Sequence, residues 1–145
     1  MSTISDVLKR KGVNVHTINS SASVFDAIAL MSDSNIGAVV VEENGEAAGI
    51  FTERDYMRKI VLKGKSSRET VVKDVMSSPL ITIDPSESSQ TGMETMTECR
   101  CRHLVVMDEG NNMTGIVSLG DLVKFMLQEK EAEVDQLSQY IAGSY

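Results

Sequence analysis

The chain has 145 residues, and its 14 Lys and Arg against 21 Asp and Glu give a formal net charge of −7, which argues against a nucleic-acid binder. No apolar run reaches the roughly 18 residues of a membrane span, and the N-terminal sequence lacks the apolar core of a signal peptide. The two cysteines, Cys99 and Cys101, are too few and too close for a disulfide framework, so we expect a cytoplasmic protein.

An internal repeat organises the chain. Eight identical residues recur at an offset of 65: Thr17, Ile18, Ser21, Ser23, Met31, Val40, Val41 and Gly45 match Thr82, Ile83, Ser86, Ser88, Met96, Val105, Val106 and Gly110. After one inserted residue, Gly49 and Asp55 match Gly115 and Asp121. A similar lead-in precedes each copy, at residues 4–8 and 72–76. The repeat predicts a first unit at 1–65, a second at 66–127 and a tail at 128–145.

Each copy is predicted to fold as β-α-β-β-α. In the first copy, Ser23 predicts a helix N-cap, and the apolar residues after it recur at the spacing of one helical face. These apolar residues are Val24, Ala27, Ile28 and Met31. Two short strands, 38–41 and 50–51, are joined through Asn44-Gly45, which favours a tight hairpin. A second helix is predicted to begin at about Glu53.

The second copy repeats this pattern with strands at 104–107 and 115–117 and a helix from about Leu119. Its first helix carries Gly92 in mid-helix, where Gly costs about 1 kcal/mol relative to Ala. A close approach between the two units is one explanation. The polar residues 63–70 are typical of a linker.

The tail is predicted to be helical. Its apolar residues Leu127, Val134, Leu137 and Ile141 form one stripe, and Gly143 is a plausible helix end. Such a stripe needs a partner surface, which lies either on this chain or on a second copy.

The motif whose groups are best suited to binding a ligand occurs twice, at 49–55 and at 115–121. A strand glycine allows a close approach to the backbone, and a hydroxyl at the strand-to-helix junction, Thr52 or Ser118, lies where free N–H groups suit a phosphate. The ionised carboxylate three residues later, Asp55 or Asp121, can accept both hydrogens of a ribose diol. The alternative is a capping box, in which hydroxyl and carboxylate satisfy only backbone donors. Duplication of the whole pattern favours the site.

These residues resemble those of the CBS domain, the regulatory domain of cystathionine β-synthase, in tandem. The resemblance covers about Ile4 to Leu127 and is carried by the order and duplication of several stretches, namely 35–41, 49–55, 74–76, 102–106 and 115–121. The ending 137–143 is similar to that of stand-alone two-CBS proteins. The resemblance implies an α+β fold, a tandem pair of βαββα units packed sheet to sheet with pseudo-twofold symmetry, plus a C-terminal helix.

The resemblance also implies clefts that bind adenosine-containing ligands such as AMP, ADP, ATP, S-adenosylmethionine or NAD(H). One cleft would use Thr52 and Asp55, with Arg54 adjoining, and its other wall would be Pro79, Leu80, Ile81, Arg102, His103 and Leu104. The second cleft would use Ser118 and Asp121, completed by His16, Thr17, Ala38 and Val39. Because Arg102 and His103 stand where the first copy has Gly37 and Ala38, we expect charged nucleotides to bind more tightly in the Asp55 cleft.

Local charge also favours an anionic ligand. Seven of the 14 basic residues lie between Arg54 and Lys73, although a solvated helix face and linker would have the same composition. We do not expect a metal site, since Cys99, Cys101 and His103 offer at most three ligands within five residues.

The sequence has none of the common catalytic motifs, such as a P-loop, Gly-x-Ser-x-Gly or His-Glu-x-x-His, so we do not expect an enzyme. Two hypotheses remain: an energy- or redox-sensing nucleotide-binding module that acts in trans on an unknown effector protein, and a ligand-free interaction scaffold in which the aspartates are only caps. The module needs no cofactor beyond its nucleotide. Family resemblance further implies a homodimer, while the acidic charge and the lack of a long apolar run argue against nucleic acid and a membrane as partners.

Overall fold

The computed structural model describes residues 2–12 and 15–143, which form two compact units. One unit is Asn14–Thr82, and the other joins Met1–Val13 to Ile83–Tyr145. The elements in chain order are α1 (Ile4–Lys11), β1 (Thr17–Asn19), α2 (Val24–Ser34), β2 (Ala38–Glu43), β3 (Glu46–Thr52), α3 (Glu53–Asp55, continued by a π-helix at Tyr56–Val61), a 3-10 turn (Val72–Asp74), β4 (Thr82–Ile83), α4 (Ser89–Cys99), β5 (His103–Met107), β6 (Met113–Ser118) and α5 (Leu119–Gly143).

The chain forms two three-stranded sheets, ordered β1-β2-β3 and β4-β5-β6. In the first sheet β1 runs parallel to β2, and β2 pairs antiparallel with β3. In the second sheet β5 and β6 are likewise antiparallel. The predicted α+β class, the β-α-β-β-α order of each repeat and the C-terminal helix are confirmed.

Local sequence signals explain the elements of the Asn14–Thr82 unit. Ser23 caps α2, since its hydroxyl accepts a hydrogen bond from the backbone N–H of Asp26 at 3.0 Å. The hairpin between β2 and β3 turns at Asn44 and Gly45, with φ angles of 54° and 80°, which is the left-handed conformation that an Asn-Gly pair tolerates. The apolar face of α2 packs into the core of the unit, which contains Val24, Ala27, Met31, Val39, Val41, Phe51, Ile60, Val72 and Val75.

The mid-helix glycine of α4 is explained by packing within its own compact unit. A Cβ on Gly92 would lie 3.1 Å from Cδ1 of Ile4 and 3.1 Å from Cδ1 of Leu122. Gly92 therefore lets α1 and α5 approach α4 closely. The helix that approaches from the first half of the sequence, α1, belongs to the same unit as α4.

The two lead-ins are exchanged between the repeats. Leu8 of α1 fills the space over Gly115 in β6, where an added Cβ would lie 2.7 Å from Cδ2 of Leu8. Met76 and Ser77 fill the space over Gly49 in β3, where a Cβ would lie 2.6 Å from Sδ of Met76. The compact units are composed differently from the sequence repeats, because residues 2–12 pack with the second repeat and 66–82 with the first. The predicted division at 1–65 and 66–127 follows the repeat and stays a prediction.

The predicted tail is not a separate element. Helix α5 runs without a break from Leu119 to Gly143, so the tail continues the second helix of the repeat; residues 144 and 145 lie outside the described part. Residues 131–142 are all exposed, and this part includes most of the apolar stripe. Within residues 2–12 and 15–143, no helix has the length and apolar character to cross a membrane.

Gly49→Ala and Gly115→Ala are predicted to destabilise the fold by about 1–3 kcal/mol each, since a methyl group would enter a filled space. Gly49→Ala should cost more, because its new Cβ also meets the backbone oxygen of Ser77 at 2.8 Å, whereas Leu8 can change rotamer. Urea unfolding of each variant measures the loss.

The matched control is Gly120→Ala, in the first turn of α5, where the nearest atom to a new Cβ is 3.7 Å away. Ala there should be neutral or stabilising. Equal effects at positions 49, 115 and 120 would contradict the proposed packing of the lead-ins.

Candidate functional site

The duplicated motif lies in both units at the junction between an edge strand and a helix. Thr52 ends β3 just before α3, and Ser118 ends β6 just before α5. In each junction the hydroxyl accepts a hydrogen bond from the backbone N–H of the aspartate, at 3.2 Å for Asp55 and 3.1 Å for Asp121. The aspartate in turn accepts one from the backbone N–H of the hydroxyl residue, at 3.0 and 2.9 Å. Both motifs therefore form complete capping boxes.

The Asp55 carboxylate is buried, and both its oxygens are engaged. Oδ2 accepts from the backbone N–H and the hydroxyl of Thr52, and Oδ1 accepts from the Ser77 hydroxyl at 2.8 Å. The Lys59 ammonium lies 3.0 Å from Oδ1 and also donates to the backbone oxygen of Val75 at 2.9 Å. With its side chain only 7% exposed, this charge is stabilised by its own unit, as a buried carboxylate must be.

The Asp121 carboxylate differs because its bonds converge on one oxygen. Oδ2 accepts from the Ser118 backbone N–H at 2.9 Å and from the Lys11 ammonium at 2.6 Å. No donor on Oδ1 is found in the part of the chain that the structure describes. The side chain is 25% exposed, so Oδ1 is the carboxylate oxygen of the two junctions with capacity for a further donor.

The surroundings of Asp121 favour its ionised form. Partial burial raises the pKa of Asp121, but the hydrogen bonds from Lys11 and Ser118 and the charge of Lys11 outweigh burial and hold the pKa below its usual value. Lys11 comes from the last turn of α1, so an element distant in sequence holds this charge in place.

Most of the predicted site residues lie in the Asn14–Thr82 unit. They are His16, Thr17, Ala38, Val39, Thr52, Arg54, Asp55, Pro79, Leu80 and Ile81. Ala38 pairs directly with Thr52 across the sheet. The Val39 side chain is wholly buried in the apolar core, and its assignment to a cleft stays a prediction.

The remaining predicted residues lie in the other unit, where His103 pairs with Ser118 across β5 and β6. The backbone oxygen of Arg102 accepts from the N–H of Leu119 at 2.8 Å, which anchors the start of α5. Leu104 is fully buried, while Arg102 is exposed and His103 half-buried. The structure thus places the residues preceding and beginning β5 at the same junction as Ser118 and Asp121. The predicted assignment of Arg102 and His103 to Asp55 stays a prediction.

The glycines of the motif have a structural role that the sequence interpretation missed. The close approach that Gly49 and Gly115 permit is made by Met76, Ser77 and Leu8 of the chain itself. They therefore position the lead-ins, which deliver Ser77 and Lys11 to the two carboxylates.

Several members of the predicted basic cluster are paired within their unit. Lys59 binds Asp55, Lys73 lies 2.6 Å from Glu43, and the Arg68 guanidinium stacks 3.9 Å from the centre of the Phe25 ring. These three side chains therefore have structural roles. No group of three or more metal-ligating side chains occurs among the described residues.

An open groove of about 400 Å³ lies in the same unit, between the C-terminal part of α2 and the start of α3. Met31, Ile36 and Tyr56 are among the residues that line it, and none of the predicted site residues does. The groove thus borders the strand-to-helix junction at Glu53 without being lined by a predicted site residue.

Sequence reasoning missed Ser77, Lys59 and Lys11. Lys59 could have been found, since it stands four residues after Asp55 on one helix. Ser77 and Lys11 follow the lead-ins, and only the exchange of lead-ins brings them to the carboxylates. The repeat shows that the two lead-ins are similar in sequence, but it does not indicate where either of them packs.

Comparison with known proteins agrees with the duplicated architecture. The CBS-domain profile matches residues 3–62 and 72–128. The chain belongs to the CBS-domain family. CBS pairs are regulatory modules, and the chain carries two CBS domains in tandem.

The chain is 42% identical to the mitochondrial CBS domain-containing protein CBSX3 of Arabidopsis thaliana, over 99% of this chain and 73% of that protein. A solved protein with CBS domains from Burkholderia ambifaria is 41% identical, with a TM-score of 0.84 over 88% of this chain and 95% of that chain. A hexameric CBS-CP12 protein from bloom-forming cyanobacteria is 25% identical, with a TM-score of 0.75 over 97% and 87% of the two chains. Because CBSX3 is mitochondrial, the comparisons do not support the cytoplasm over other compartments.

Asp121→Asn is predicted to lower stability at neutral pH by about 1 kcal/mol, because it removes the charge that Lys11 binds. A carboxylate with a lowered pKa stabilises the fold above about pH 4 and loses that contribution as the pH falls further. The difference between wild type and variant should therefore shrink between pH 7 and pH 3, as measured by urea unfolding.

Glu133→Gln is the control, since its exposed pair with Lys130 spans 3.7 Å and such pairs contribute little. A difference for Asp121→Asn that is unchanged at pH 3 would show that the charge of Asp121 adds nothing to stability.

Proposed function

We propose that this CBS pair is a regulatory module that binds an adenine nucleotide, AMP, ADP, ATP or NAD(H), and acts in trans on a partner protein. The observation that carries the proposal is the Asp121 carboxylate, which is ionised, partly exposed and open at Oδ1. A ribose presents two adjacent hydroxyl donors, and a carboxylate is an acceptor that suits them.

The start of α5 supports the same ligand. The N–H groups of Leu119 and Asp121 already bond to Arg102 and Ser118, so the support comes from the positive end of the helix dipole, which favours a phosphate. A hydroxyl, a carboxylate and a helix start therefore meet at Ser118–Asp121, which is the set of groups that a nucleoside phosphate requires.

The Asp55 junction supports binding less directly. A ribose there would have to displace the Ser77 hydroxyl or the Lys59 ammonium from Oδ1. We therefore propose Asp121 as the principal nucleotide site. The sequence predicts tighter binding of charged nucleotides at Asp55 because of Arg102 and His103. The need to displace Ser77 or Lys59 from the carboxylate opposes that binding.

A ligand-free interaction scaffold is the second candidate. It is favoured by the complete capping boxes at both junctions and by the saturation of Asp55. In that case the aspartates would serve only to start α3 and α5.

Thermal shifts with AMP, ATP, NADH and S-adenosylmethionine separate the two candidates. Binding should stabilise the native chain by about 2.7 kcal/mol at a hundredfold excess over Kd. Asp121→Ala should abolish most of the shift, and Asp55→Ala should leave it largely intact; each also loses a cap contribution of about 1 kcal/mol.

A native chain that responds to none of these ligands, with both variants losing only the cap contribution, would favour the scaffold. Turnover of any nucleotide by the isolated chain would contradict the absence of enzymatic activity that we propose.

We further propose that the protein is a homodimer in which the stripe of α5 contacts a second copy. Val134 and Leu137 are 60% and 59% exposed on a helix that projects beyond its sheet-bound part, and the full-length match to a hexameric CBS protein supports self-association.

Leu137→Lys should shift the sedimentation of the protein toward monomer. Gln136→Lys, one residue off the stripe, should not; a wild type that sediments as a monomer at micromolar concentration would contradict the dimer.

A further inference from the structure

Lys11 is the cation that contacts Asp121, and its bonds to the protein leave one ammonium proton for a ligand. Its ammonium donates to Oδ2 of Asp121 at 2.6 Å and to the backbone oxygen of Ile116 at 2.7 Å. An ammonium has three protons, so one is left for another acceptor. Its side chain is 30% exposed, which gives that proton access to solvent.

The Asp121 carboxylate repels the phosphate of a ligand bound beside it, and Lys11 can offset this repulsion. A phosphate monoester carries a charge of about −2 at neutral pH, and the ionised Asp121 repels it. Near a protein surface, a cation a few ångströms from the phosphate offsets part of this repulsion. Lys11 is the cation already in contact with the carboxylate.

An unphosphorylated nucleoside meets the opposite situation. Its ribose hydroxyls can donate to the open Oδ1, but the nucleoside offers the Lys11 ammonium no anion. S-adenosylmethionine brings a positive sulfonium close to this ammonium and is disfavoured for the same reason.

We propose that Lys11 is the residue that makes the Asp121 site selective for phosphate-bearing adenosine ligands, by holding the carboxylate when the site is empty and turning to the phosphate when a nucleotide binds. This inference rests on the proposed nucleotide function of Asp121. It assigns the choice of ligand to α1, an element outside the duplicated motif.

The corresponding lysine of the other unit is arranged differently. Lys59 is on the same helix as Asp55, four residues later, and it also binds the Val75 backbone oxygen. Lys11 instead belongs to α1, whose Leu8 packs over Gly115. A change of partner at Lys11 therefore involves the lead-in helix α1 and not the helix of the motif.

Calorimetric titration with AMP and with adenosine tests the proposal on the full chain. Wild type should bind AMP more tightly than adenosine by at least tenfold, and Lys11→Met should reduce that ratio about tenfold, as expected for one lost hydrogen bond between charged groups. Adenosine itself should bind Lys11→Met as well as wild type, or better.

Two further variants complete the design. Lys9→Met removes the same charge from the same turn of α1, where Lys9 is exposed, and should keep the wild-type ratio. Lys11→Arg retains a cation and should also keep it, so the ratio can be followed even where Lys11→Met does not fold.

An unchanged AMP-to-adenosine ratio in Lys11→Met, or an equal fall in Lys9→Met, would overturn the role of Lys11 while leaving nucleotide binding intact. AMP binding that Asp121→Ala does not weaken would overturn the proposed function itself. The two failures are therefore distinguishable.

Discussion

The reciprocal capping hydrogen bonds at the strand-to-helix junction, in which the hydroxyl and the carboxylate each accept from the other residue's backbone N–H, are the interaction on which the rest of this protein depends. They end β3 and β6, start α3 and α5, and hold Asp55 and Asp121 in a fixed orientation. Capping uses only part of the hydrogen-bonding capacity of each carboxylate. What occupies the remaining lone pairs decides whether a junction is structural or can bind a ligand.

The residues that follow the two lead-ins occupy these lone pairs differently in the two junctions. Ser77 follows the lead-in that packs over Gly49 and saturates Asp55 together with Lys59. Lys11 follows the lead-in that packs over Gly115 and takes one oxygen of Asp121. Two nearly identical motifs thereby become chemically different, one buried with both carboxylate oxygens bonded, the other partly exposed and open at one oxygen.

The local elements could be predicted from the sequence because their signals are local. Ser23, the Asn44-Gly45 turn and the apolar spacing of α2 each fix a conformation within a few residues. Duplication then extended these predictions to the second half and identified the family. The helix stripe on α5 was likewise visible, since helical periodicity requires no tertiary contact.

The exchange of lead-ins could not be predicted, because it joins residues that lie far apart in the sequence, as Leu8 and Gly115 do. A strand glycine shows that something approaches closely, but not what does. The motif suggests a ligand next to Gly49 and Gly115, whereas the structure has residues of the chain itself in both places. The same long-range packing gave Gly92 its role and brought Lys11 to Asp121.

The most direct test of the whole account is a crystal structure of the protein with saturating AMP. The account predicts a ribose whose hydroxyls donate to Asp121, with the Lys11 ammonium moved from the carboxylate to the phosphate. A structure in which Lys11 still binds Asp121 and no nucleotide contacts that carboxylate would contradict it.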